Sequence, residues 1–285
     1  MTSTDNSGRL RMLTYMCPDV PLEVFTLLRD CVEEATGLEV DLMVEDRFNG
    51  PRQDRANPFS SDLADIVYVH SSSYLSLRAA QQENMELCPV APVCTHPLVN
   101  QQPVYFSEVI IHAGNKEKYK EVKDLKGCSW AYNDERSLSG NLIVLDFLKK
   151  NFSTNASFFG SIVESGSHLN SIKKVLEHSV IGAAVDSTVL AGYLQDHQEH
   201  RDKIVSLKSL GPLPIFPALF NSRLSGATKQ KIVDKFLSLS GSATWSERLA
   251  GLGISGFAQV DSNLYSLEED VAEYTQGMKM NTAYY

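Results

Sequence analysis

The residues that could do chemistry in this chain are short polar turns crowded with hydroxyl groups. They read His70-Ser71-Ser72-Ser73-Tyr74, Ala131 to Gly140 (AYNDERSLSG), Glu164-Ser165-Gly166-Ser167-His168 and Asp186-Ser187-Thr188. Each follows a short apolar run and precedes a stretch with helical spacing. Hydroxyl groups and the unpaired N–H groups of a helix start are donors, and the helix dipole there favours negative charge. The chemistry they suit is the holding of a small anion. Ser and Thr are also good helix caps, and for any one turn capping is the simpler explanation. Several such turns together point to a shared binding cleft. The stretch AYNDERSLSG stands out because a connection needs only about two to six residues, and the helix after it is expected from Asn141 to Phe152.

The elements around these turns alternate. Strands are expected at Arg11–Met16, Leu38–Val44, Asp65–Val69, Val104–His112 and Cys128–Tyr132, then at Phe158–Val163 and Val180–Val185. The first helix carries Leu22, Val24, Phe25, Leu28 and Val32 on one side and stops at Gly37, as a left-handed cap would require. Further helices are expected to about Gln82 and about His178, and over Val189–Leu194, Gly226–Leu239 and Ser246–Leu252. Such alternation implies an α/β protein with mainly parallel sheets, whose ligands sit beyond the carboxyl ends of the strands. Asn100-Gln101-Gln102-Pro103 and Gly211 to Pro217, with three prolines, read as crossings between lobes. Lobe 1 is then expected from 1–104 plus 218–285 and lobe 2 from 105–217. Residues 278–285 show no pattern.

The 285 residues carry a net charge of −9 and no uninterrupted basic block, which argues against nucleic-acid binding. No run is long and apolar enough to span a membrane, and the N-terminal residues hold no secretory apolar segment. A cytoplasmic location is the expectation. The five cysteines show no CxxC pair, so buried or free thiols are expected rather than a metal knuckle or disulfide framework.

Six stretches in order resemble the phosphate- and phosphonate-binding proteins of ABC importers, which have the type 2 periplasmic binding protein fold. They are DIVYVHSSSY (65–74), PVYFSEVI (103–110), DLKGCSWAYNDERSLSG (124–140), GSHLNSIKK (166–174), AAVDSTVL (183–190) and LGPLPIFP (210–217). The resemblance implies a two-lobed α/β fold with two hinge crossings and a solute-binding protein for a phosphonate, phosphate or phosphate ester. It implies no catalytic residue, no metal and no cofactor. An ABC permease is a partner only if the chain is exported.

By the same resemblance Ser137, Ser139 and Gly140 hold the ligand's oxygens, Tyr74 and His168 add donors, and Asp186 takes an amine or hydroxyl on the ligand. For Tyr74 the alternative is a packed aromatic, for His168 a capping or surface residue, and for Asp186 a helix N-cap. Glu135 and Arg136, expected to neutralise one another or face solvent, are given no role. An enzyme on the same scaffold, similar to thiamine-pyrimidine synthases or chorismate-derivative dehydratases, is the second reading, with His168, Asp186 and Tyr74 as acid–base candidates. A protein-interaction module with a vacant cleft is the third.

Overall fold

The computed structural model describes residues 8–17, 19–45, 50–51 and 55–280. The turn residue Pro18, the N-terminal residues 1–7 and the last five residues of the patternless C-terminus lie outside the described residues. The chain forms two compact units: 1–103 with 214–266, and 104–213 with 267–285.

The first unit begins with β1 (Arg9–Thr14), α1 (Leu22–Thr36), β2 (Glu39–Val44) and β3 (Ile66–Tyr68). It continues with α2 (Ser71–Ala79), β4 (Met85–Leu87) and β5 (Val90–Cys94). In α1, Val24, Phe25, Leu27, Leu28, Cys31 and Val32 are buried and form a core face, whereas Leu22, expected on the same side, is 47% exposed at the helix start. Gly37 ends the helix at φ 73°, with its N–H on the Glu33 carbonyl at 2.8 Å. A side chain there would strain the left-handed backbone. Phe25 meets Tyr68 at 5.3 Å and Phe216 at 6.1 Å between ring centroids, at the centre of this core.

The second unit holds β6 (Val104–His112), β7 (Ser129–Tyr132), α3 (Ile143–Phe152) and β8 (Ser161–Glu164). Then come α4 (His168–Leu176), β9 (Gly182–Asp186), α5 (Ser187–Asp196) and β10 (Ile204–Pro214). All but the last residue of β6 is buried, including the polar pair Ser107 and Glu108 at its centre. Trp130 lies 1% exposed and stacks on Phe159 at 4.3 Å. The chain returns to the first unit for β11 (Ala218–Asn221), α6 (Gly226–Ser238), α7 (Ala243–Ala250) and β12 (Ile254–Gln259). A last helix, α8 (Ser266–Tyr274), follows.

Each unit is built on a five-stranded sheet, ordered β2-β1-β3-β11-β4 in the first and β10-β6-β9-β7-β8 in the second. Read from the opposite edge, the second order is β8-β7-β9-β6-β10, the same plan as the first. The sheets are mixed rather than mainly parallel. β1 runs parallel to β2 and β3, and β7 to β8 and β9, whereas β11 and β6 run antiparallel to β3 and β9. β11 and β6 are the first sheet strands after a crossing. Each enters from the other unit and so pairs in the reverse sense.

The C-terminal end differs from the expected division. Residues 267–285 group with the second unit, so the chain passes between units three times, not two. Lys149 Nζ donates to the Tyr274 carbonyl at 2.6 Å and sits 4.0 Å from the centre of the Tyr274 ring, which ties α8 to α3. The five cysteines are unbridged, and burial pushes the Cys31 and Cys88 thiols up to about 12, which leaves them unreactive.

Candidate functional site

The stretch 131–140 is shorter as a loop than its sequence implies. β7 ends at Tyr132 and a π-helical turn occupies Leu138–Leu142, running directly into α3. Five residues, 133–137, make the connection, which is an ordinary length. The helical part starts three residues earlier than expected because Ser137 caps it. Its Oγ accepts from the Gly140 N–H at 3.0 Å. Single π turns inside α-helices are common at functional sites.

Behind this turn lies a buried polar network. Ser139 is 2% exposed, His168 4% and Asn133 7%. His168 Nε2 lies 3.2 Å from Asn133 Nδ2 and 3.4 Å from Ser139 Oγ. The Asp186 N–H reaches His168 Nδ1 at 3.4 Å. Ser107, fully buried in the middle of β6, donates its hydroxyl to the Ser139 carbonyl at 2.5 Å. One imidazole thus ties together the π turn, the end of β7 and the start of α5, and it is itself the first residue of α4. Ser167 caps α4 by accepting from the Asn170 N–H. Three helix starts therefore meet around His168, each contributing donors and the positive end of its dipole.

The other expected residues divide as follows. Gly140 is buried against Asn133: a Cβ at this position would lie 1.8 Å from Asn133 Oδ1. The glycine is demanded by its own neighbour, a reason the sequence does not display. Asp186 caps α5, its Oδ1 accepting from the Thr188 N–H at 2.7 Å and the Val189 N–H at 3.4 Å, and from the Thr188 hydroxyl at 2.7 Å. Burial raises its carboxyl above the usual range in spite of those bonds. Ser137, Ser139, Gly140, His168 and Asp186 thus come together in the second unit.

Tyr74 belongs to the first unit. It is 4% exposed and packs edge-on against Tyr265, with ring centroids 5.0 Å apart. Arg136 faces solvent, as expected, and lies 3.9 Å from Asp134.

Residues that sequence reasoning passed over are Asn133, Ser107 and Asn141. Asn133 Oδ1 is buried with no hydrogen-bond partner among the described residues, as is Asn141 Oδ1. The only signal for them is a polar residue at the end of, or within, an otherwise apolar strand or helix start. Together the groups offer several donors and few fixed charges, an arrangement suited to an oxyanion.

The pattern has known counterparts. The family described as ABC transporter, phosphonate, periplasmic substrate-binding protein matches residues 12–265. The chain belongs to this family. Solved structures show the fold at low identity. A binding protein component of an ABC phosphonate transporter from Pseudomonas aeruginosa is 17% identical over 94% of this chain and 86% of its own, with a TM-score of 0.71. A Prochlorococcus marinus protein, PhnD1, solved with methylphosphonate, is 15% identical over 95% of this chain and 99% of its own, with a TM-score of 0.70. A Xanthomonas citri protein bound to ATP is 12% identical over 95% of this chain and 100% of its own, with a TM-score of 0.59. No curated protein sequence matches significantly. The chain is thus a solute-binding protein of the family, with the two-lobed mixed α/β fold of periplasmic binding proteins. The family is one of binding proteins and lends no support to the enzyme reading.

Proposed function

We propose that the chain binds a small oxyanion of the phosphonate, phosphate or phosphate-ester type and releases it unchanged. The observation that carries this reading is the meeting of three helix starts around His168, with Ser139 and Asn133 buried beside it. A phosphonate has three acceptor oxygens and needs donors converging from several elements. Ser139 Oγ and the Leu138 and Ser139 N–H groups at the start of the turn supply them without a fixed positive charge.

Ser137 fixes the turn through its cap and donates from the same hydroxyl. His168 holds the three elements in register and offers a further polar contact. Asp186, whose oxygens already serve α5, repels the anionic end of a ligand and accepts from an amine or hydroxyl on the other end.

The test is calorimetric titration with methylphosphonate, aminoethylphosphonate, phosphate and a small phosphate ester, with the ligand recovered and weighed by mass spectrometry afterwards. Binding of at least one, recovered intact and weakened in Ser139→Ala, is the expected result. No heat with any of the four, or a chemically altered ligand, would overturn the reading.

A further inference from the structure

A second cluster of side chains lies at the opposite end of α5 from Asp186. His197 ends the helix and Glu199 and His200 follow in the next turn, over Gln198–Lys203. One ligand atom from each of these three residues lies within 4.8 Å of the other two. His197 Nδ1 is 3.6 Å from Glu199 Oε1, and His200 Nε2 is 3.9 Å from the same oxygen. In a tetrahedral zinc site with bonds of about 2.0–2.1 Å, neighbouring ligand atoms stand about 3.4 Å apart. The two shorter separations need a contraction of a few tenths of an ångström. His197 and Glu199 are exposed and rotate without disturbing the core.

The third member is held from behind. Tyr193 is buried on the last turns of α5, and its hydroxyl lies 2.8 Å from His200 Nδ1. That bond leaves Nε2, the nitrogen facing Glu199, as the one to ligate. The Tyr193 ring stacks on His200 at 5.7 Å and an interplanar angle of 13°, and it lies 4.5 Å from the His197 ring. A ligating histidine whose other ring nitrogen is fixed by a hydrogen bond is the usual arrangement at metal centres. The C-terminal end of a helix also favours a cation.

We propose that His197, Glu199 and His200 form a binding site for one divalent transition-metal ion of the zinc type, with Tyr193 as its positioning residue. Two imidazoles and one carboxylate suit zinc, copper or nickel and not magnesium, and three protein ligands leave a position for water. None of the four residues belongs to the Ser139 network, so the proposal stands apart from the oxyanion reading.

The experiment is calorimetric titration of the full chain with zinc chloride in a phosphate-free, chelator-free buffer, repeated with magnesium chloride. One equivalent of zinc and no magnesium is expected. His197→Ala with His200→Ala should abolish the zinc heat while the circular dichroism spectrum stays that of the wild type. Tyr193→Phe should weaken zinc about tenfold, as loss of an orienting bond does. His112→Ala should leave binding unchanged; His112 and His178, with ring centroids 4.0 Å apart and tilted by 51°, form another close imidazole pair. No zinc heat, or zinc binding that survives the double substitution, would overturn the proposal. So would zinc binding lost with His112→Ala.

Discussion

The two sheets share one strand plan, but the turns at equivalent places in them are filled differently. After β3, the helix α2 follows His70 with no capping bond from that side chain, and four residues on from it Tyr74 is packed among Phe59, Val67, Leu219 and Tyr265. After β9, the helix α5 starts at Asp186, whose carboxylate caps it twice, and Ser187 Oγ accepts from the Phe106 N–H at 3.0 Å. Beside it lie His168, Ser139 and Asn133. The first unit thus secures this corner by apolar and aromatic burial, the second by a polar network. The backbone plan is common to both; the binding chemistry is a matter of which side chains are placed on it. Buried polar networks are also specific, because each member left unpaired costs more than an apolar contact gains.

The contrast can be broken first at the cores. Trp130→Ala in the second unit and Phe25→Ala in the first, both essentially fully buried, should each cost about 3–5 kcal/mol. Hydrogen exchange would show whether protection falls in the substituted unit first, as independent cores require. Ligand binding comes next. Ser139→Ala should weaken oxyanion binding by about 1.5–3 kcal/mol, and Tyr74→Phe, which keeps the ring packing on Tyr265, by less. Equal losses in the two calorimetric titrations would end the assignment of the main donors to the second unit. Gly140→Ala should destabilise by about 1–3 kcal/mol through overlap with Asn133, and Asn133→Ala should relieve it in the double variant. Chemical denaturation of the four proteins of that cycle measures the coupling.

The smallest effect is one of pH. Burial raises the Asp186 carboxyl, so the folded protein keeps that proton to higher pH than the unfolded chain does. The group's contribution to stability therefore falls as pH rises from about 4 through its folded-state value. Asp186→Asn keeps a capping oxygen and removes the charge. It should be more stable than the wild type at neutral pH, with the gap closing as the pH falls to about 4, read from denaturant midpoints.

Much of the fold was legible because it is local. The spacing of Val24, Phe25, Leu28 and Val32 marked α1, Gly37 marked its end, and the stretch Val104–His112, rich in β-branched and aromatic residues, marked β6 to the residue. The serine-rich turns were legible for the same reason, since a cap is a bond to a backbone two or three residues away. β4 and β11 were not legible. Each has only three or four residues and exists because a partner strand distant in the chain pairs with it. The third passage between units was hidden too, since it depends on Tyr274 meeting Lys149, 125 positions earlier.

The same line divides the candidate site. Sequence by itself determined the donor types, their place at helix starts and the order of motifs that marks the family. It could not decide that Asn133 and His168, 35 positions apart, would meet at 3.2 Å, or that Gly140 answers to Asn133. Nor could it decide between the N-cap and the ligand reading of Asp186, whose Oδ1 turns out to cap α5. Those outcomes depend on which buried polar groups find partners once the sheet has closed, and only the tertiary structure brings those partners within reach.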